Sequence, residues 1–237
     1  MEYFKLLTSN LRFYILASTT LLTLGIYFGI KQFIADEYMQ TVSLTQFYAL
    51  AAVTYLYFTL LASPLTRIFP QFPYRAKYIF ARRALGASAF MFGALHYYFA
   101  LFKYIGGPEV LLAMPFESQV PVLLGSTAFL ILFLMAITSF DLAIAKLSAV
   151  RWKFLHRFVY LAAALITAHA LLLGSHFKNL SETIPLIFFA ALSFLLVLES
   201  IRFNRYLNMK FIGMGRFFIP QIVVAGLLAY SSLKIFS

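Results

Sequence analysis

Apolar runs long enough to cross a bilayer recur along this chain, and they constrain its fold more than any motif. Seven can be drawn, at roughly 12–32, 45–63, 83–103, 119–139, 155–173, 184–201 and 217–236. A helix rises 1.5 Å per residue, so about 20 apolar residues cover a hydrocarbon core of about 30 Å. The expectation is an all-α polytopic membrane helix bundle of six to seven transmembrane helices, forming a single integral membrane domain over 1–237. Composition agrees: 62% of residues are hydrophobic and only 11% charged, with a mean hydropathy of +0.87, well outside the soluble globular range. The first run is long and lacks a small-residue cleavage site, so it reads as a retained helix.

The net charge of +11 invites a nucleic-acid reading, which its distribution excludes. The cations fall in the gaps between apolar runs, with no stripe along one helix. With the N-terminus in the cytoplasm, 15 of the 19 Lys and Arg lie inside, and only Lys31, Lys103, Lys178 and Lys234 lie outside. This bias places the N-terminus inside and, with seven spans, the C-terminus outside. The same basic inner surface, around Arg75, Lys77, Arg151 and Lys153, suits either anionic membrane lipid or a docking flavoprotein.

Cysteine is absent, which excludes thiolate haem ligation, iron–sulfur clusters, redox thiol pairs and covalent c-type haem within this chain. The longest gap, about Pro64 to Arg82, is too short for a folded nucleotide-binding module. No GxGxxG or Walker-type loop is present, and Gly106-Gly107 before Pro108 reads as a turn. Without a dehydrogenase domain the chain is not expected to take hydride from NAD(P)H itself.

The histidines carry the chemistry. There are four, and an imidazole inside an apolar span is a functional-site hypothesis by default. His96 lies 13 residues beyond Arg83, and His169 lies 13 residues beyond His156, which is about 20 Å of helix in each case. Both spans run outward, so His96 and His169 are expected at equal depth in the outer half, with His156 level with Arg82 and Arg83. A depth-matched pair is what a low-spin b-type haem needs, one imidazole to each axial position. Hydrogen-bonded structural histidines between helices are the competing reading. His156 reads equally as the ligand of a second haem or as an interfacial residue, with Arg82 or Arg83 placed to pair with a haem propionate. On an ideal helix it stands some 140° around from His169, so facing one cofactor column requires a bend or bulge. His176 reads as a loop residue, and Trp152, the only tryptophan, as an inner-interface anchor.

These residues resemble a known family. ARRALGASAFMFGALH (81–96), SPLTR (63–67), AITS (136–139) and RWKFLHRFVYLAAALITAH (151–169) are similar to the ferric-reductase-like transmembrane domain over roughly 45–200. Within it they look most like the MsrQ group, the haem membrane subunits of bacterial methionine sulfoxide reductase systems. The resemblance implies a haem b electron-transfer subunit of the bacterial cytoplasmic (inner) membrane. Electrons would come from a cytoplasmic flavin reductase or the quinol pool, with FMN and quinone as further cofactors. They would pass to a periplasmic molybdopterin reductase of the MsrP type. Carried over by position, His96 and His169 would ligate an outer haem and His156 a second, inner one. NADPH oxidases of the superfamily have a histidine where Arg82 stands, so the inner haem would lack its usual second ligand. The run at 217–236 and the absence of an HFTG-like stretch in MQTVSLTQFYAL depart from the family pattern. Two rival functions remain at this point: a stand-alone ferric or cupric reductase, and a haem-free transporter or assembly factor with structural histidines.

Overall fold

A computed structural model describes residues 2–174, 177 and 182–210, with side chains described from residue 10 to 205 within that range. The run at 217–236 and His176 lie outside the described residues. Every element among the described residues is helical: α1 Glu2–Phe33, α2 Glu37–Ile68, α3 Arg75–Tyr98, α4 Pro108–Ala113, α5 Phe116–Ile137, α6 Asp141–Leu147, α7 Ala149–Leu155, α8 Val159–Leu173 and α9 Thr183–Lys210. A π-helical segment, Phe99–Ile105, extends α3, and a 3₁₀ turn, His156–Phe158, joins α7 to α8. Six membrane-crossing candidates result by length and composition: 10–33, 37–68, 75–105, 116–137, 149–173 and 183–205.

The helices overrun the apolar runs at most ends. The gap placed at about Pro64 to Arg82 shrinks to residues 69–74, because α2 continues through Pro64 to Ile68 and α3 begins at Arg75. Hydropathy marks only the stretch immersed in hydrocarbon, whereas backbone bonding continues into the headgroup region. Pro64 gives up one backbone donor inside α2, and Thr66 Oγ1 donates to the Ala62 carbonyl in the same turn at 2.6 Å. Large apolar side chains face outward along the spans, among them Leu21 and Leu24 of α1, Leu130 of α5 and Ile187 of α9. Against lipid such a surface is in its proper solvent.

The described residues divide into two compact units, one of residues 2–59 with 80–173 and one of residues 60–79 with 174, 177 and 182–210. In the second, Phe177 packs edge-on to Phe188 and Phe189, with ring centres 5.0 and 6.0 Å away, and Glu199 pairs with Arg202 one turn on. The first unit holds His96, His156 and His169. Its core is Ile30 of α1, Leu44 and Tyr48 of α2 and Phe92 of α3, with Phe92 5.4 Å from Tyr55 and 6.1 Å from Tyr48, centre to centre. Two fully buried hydroxyls join α1 to α3: Thr19 and Ser88 lie 2.8 Å apart. Thr19 Oγ1 donates its proton to the Ile15 carbonyl, so it is left to accept from Ser88, a bond that water cannot replace at this depth. The α1–α2 turn is closed by Gln40, which accepts from Lys31 Nζ and donates to the Ile34 carbonyl, each at 2.6 Å. Asp36 caps α2 through the Met39 N–H.

Candidate functional site

The sequence-derived site residues fall into two groups. His96 and His169 come together, their ring centres 6.0 Å apart and their planes crossed at 75°. His156, Arg82 and Arg83 gather at the other end of the same helices, about 20 Å away by helical rise.

α3 is continuous α-helix through His96, then widens at once into the π-helical Phe99–Ile105. That segment ends at Gly106 and Gly107, with φ of +99° and +116°, conformations a side chain would resist. Pro108 then opens α4. His96 Nδ1 lies 3.0 Å from the Thr45 carbonyl of α2. His169 Nδ1 lies 2.8 Å from the Pro121 carbonyl of α5. A carbonyl only accepts, so in both rings Nδ1 carries the hydrogen and, in the neutral imidazole, Nε2 keeps its lone pair. Neither Nε2 has a hydrogen-bond partner among the described residues. Aromatic rings wall the neighbouring α3–α5 face: Tyr97 and Phe90 stack on Phe129 with centres 4.7 and 5.6 Å away. Among the described residues no group of three or more His, Cys, Asp or Glu is placed to hold a bare metal ion.

His156 is engaged on every side. Its Nδ1 donates to the Trp152 carbonyl at 3.0 Å, its Nε2 lies 3.2 Å from Ser139 Oγ, and its ring stacks on Trp152 at 4.0 Å. Ser139 Oγ also lies 2.6 Å from the Met135 carbonyl. The 3₁₀ turn that starts at His156 breaks the ideal helical phase between it and His169. Trp152 Nε1–H donates to the Thr138 carbonyl at 3.0 Å, so this tryptophan fastens the 138–141 connection to α7.

Arg83 reaches the same connection from α3. One guanidinium nitrogen donates to Asp141 Oδ1 at 2.7 Å and the other to the Ser139 carbonyl. Arg82 sits beside it, half-buried, and both charges act on the His156 ring. Ser139 and Asp141 were not marked by the sequence as site residues. The only signal was AITS (136–139), which carries no chemistry until folding sets it against His156.

The Asp141 carboxyl is held below its ordinary 3.8, first by accepting the Arg83 hydrogen bond, then by the Arg83 charge, with slight burial opposing and Arg12 adding a little. A depressed folded value stabilises the fold above the unfolded carboxylate pKa, and that stabilisation is lost as pH falls through the folded value. Asp141 is 83% exposed, so solvent screens the pair. Asp141→Asn is expected to cost under about 1 kcal/mol at neutral pH and to flatten part of the acid-side fall in thermal stability. Melting curves taken from neutral pH down through the carboxylate range check both statements.

The ferric reductase like transmembrane component family matches residues 41–167, a stretch that contains His96 and His156 and stops two residues short of His169. The haem-binding subunit MsrQ of the protein-methionine-sulfoxide reductase of Azospira oryzae is 32% identical over 165 residues, 68% of this chain and 68% of that one. The MsrQ subunit of Cronobacter sakazakii is 37% identical over 121 residues, 51% of this chain and 58% of that one. The magnetosome protein MamZ of Magnetospirillum gryphiswaldense is 35% identical over 105 residues, 43% of this chain but only 15% of that much longer protein. By the family match over more than half its length, and by its similarity to MsrQ subunits, this chain belongs to the ferric reductase like transmembrane component family and is a multi-pass membrane protein of the MsrQ-like kind.

Proposed function

We propose that this chain is a haem b electron-transfer subunit of a bacterial inner membrane, in which His96 and His169 would hold the haem. The observation that carries the reading is the pair itself. Two imidazoles on opposite sides of one first-row metal, at about 2.0 Å per bond, have ring centres roughly 6 Å apart, and these rings stand 6.0 Å apart. A bare ion would find two protein ligands here and would want more, whereas a porphyrin brings its own four. The donor set therefore fits haem.

A haem b in that position supplies a one-electron couple inside an apolar span. The chain's own residues do the rest. The carbonyls of Thr45 and Pro121 hold both rings in the Nδ1–H tautomer and leave Nε2 for the metal, the arrangement that orients metal-bound histidines generally. With both imidazoles engaged, the group they would hold would serve electron transfer rather than binding of small molecules. Tyr97, Phe129 and Phe90 keep water from the α3–α5 face.

Positive charge gathers at the Arg83 end, so by the positive-inside rule that end faces the cytoplasm and electrons move from it towards His96 and His169. The donor is a cytoplasmic flavin reductase, through FMN, or membrane quinol. The acceptor is a periplasmic reductase of the MsrP type, a reading supported by relatives named as subunits of a protein-methionine-sulfoxide reductase. A second haem at His156 would have to break the bond of Nε2 to Ser139 and separate the ring from its tryptophan, so one haem per chain is the better-supported count. On this reading His156 and Arg83 secure the inner end of the bundle.

A dithionite-reduced minus oxidised absorption spectrum of the purified protein, with haem quantified per chain, tests the reading. One b-type haem per chain is expected. Protein that is colourless when purified from haem-replete cells would overturn it in favour of structural histidines.

A further inference from the structure

The two facing histidines are held differently. His96 leans on a carbonyl of α2, whereas His169 lays the face of its ring against α5 at Gly125. A Cβ built on Gly125 would lie 2.8 Å from His169 Nδ1, 2.9 Å from Cε1 and 3.2 Å from Cγ. Side chains do not sustain approaches below 3.0 Å, so with any other residue at 125 the imidazole would have to move. The other described helical glycines have room: Gly25, Gly29 and Gly93 would meet nothing within 4 Å, and Gly86 would meet Thr59 at an ordinary 3.6 Å. One turn before Gly125 is Pro121, whose carbonyl takes the His169 Nδ1–H. Residues four apart share a helix face, so the two positions form one cradle. The carbonyl fixes which nitrogen carries the proton, and the missing side chain lets the ring come close enough to reach it.

We propose that the Pro121–Gly125 cradle of α5 orients the His169 imidazole, with Gly125 a positioning residue that fixes the crossed arrangement of the two rings; this rests on the reading of His96 and His169 as axial ligands. The crossing has an electronic consequence. When two axial imidazole planes are crossed, their interactions with the iron d orbitals no longer reinforce along one direction, and the low-spin ferric EPR signal becomes strongly anisotropic. A methyl group at 125 pushes the ring off the Pro121 carbonyl, turns its plane, and removes the hydrogen bond that raises its basicity.

The test compares the full-length parent, Gly125→Ala and, as a control with open space, Gly29→Ala. Haem retention, the ferric EPR spectrum and the midpoint potential are measured on each purified protein. Gly29→Ala should match the parent. Gly125→Ala should retain haem about 10-fold less tightly or worse, and whatever haem it keeps should show a shifted low-field g value and a shifted potential. A Gly125→Ala protein matching Gly29→Ala in all three overturns the proposal. If Gly125→Ala gives no folded protein, the His169→Ala background decides. The three atoms nearest the added Cβ all belong to the imidazole, so Gly125→Ala is expected to leave the thermal midpoint of His169→Ala unchanged. Equal destabilisation in both backgrounds would reduce Gly125 to a general packing role. This last comparison needs no haem, so a colourless parent would sink the ligand reading while leaving the cradle test standing.

Discussion

Alanine at His96 or at His169 is expected to remove the low-spin b-type spectrum altogether, while alanine at His156 leaves it in place. Each of the first two substitutions deletes one of two axial bonds and leaves a void in an apolar span with nothing to replace it. The loss should exceed the roughly 10–100-fold that follows when only a hydrogen bond orienting a ligand is removed. Any haem that stays behind would be held by one imidazole and would turn high-spin. His156→Ala instead removes one of the two partners of Ser139 Oγ and uncovers one face of Trp152, about 20 Å of helix away. Its effect should fall on the stability of the 138–156 region. Haem per chain and reduced-minus-oxidised spectra of the three variants read the difference. A His156→Ala protein with half the parent's haem would instead establish a second, inner haem.

The largest effect expected on stability alone comes from Phe92→Ala. Phe92 is fully buried, packs against Tyr48 and Tyr55, and sits one turn before His96 on α3. Within a bilayer the transfer part of a core substitution largely vanishes, because lipid tails are as apolar as the core. What remains is the void and its lost dispersion contacts. At about 24 cal/mol per Å3 over roughly 100 Å3 of missing side chain, the cost is about 2 kcal/mol, or about thirtyfold in the folding equilibrium. Leu130→Ala on the outer face of α5, where the side chain is 59% exposed, should stay within about 0.5 kcal/mol. Steric-trapping or denaturant unfolding in detergent compares the two. Equal costs would mean that Phe92 is not a packing keystone. Loosening α3 at this point should also weaken haem retention, because Phe92 helps set the position from which His96 reaches across.

Depth and rotation were unequally legible in this chain. Apolar runs and the 13-residue intervals from Arg83 to His96 and from His156 to His169 determined, by sequence alone, an all-α membrane bundle and the shared level of His96 and His169. Those are properties of one dimension, distance along a helix with a fixed rise, and the bilayer reads that same dimension. Rotation about each helix axis was not legible, because spans as uniformly apolar as α5 and α8 carry no polar stripe to say which side faces a neighbour. Only the tertiary structure decided that His96 meets a carbonyl 51 residues away and His169 one 48 residues away. Only packing turned Gly125 from one glycine among 11 into the one described helical glycine pressed against a histidine ring. The inner end follows the same rule. Trp152 and His156 are one turn apart, but Ser139 reaches them only when the 138–156 region folds back on itself, and Arg83 only when α3 packs against it.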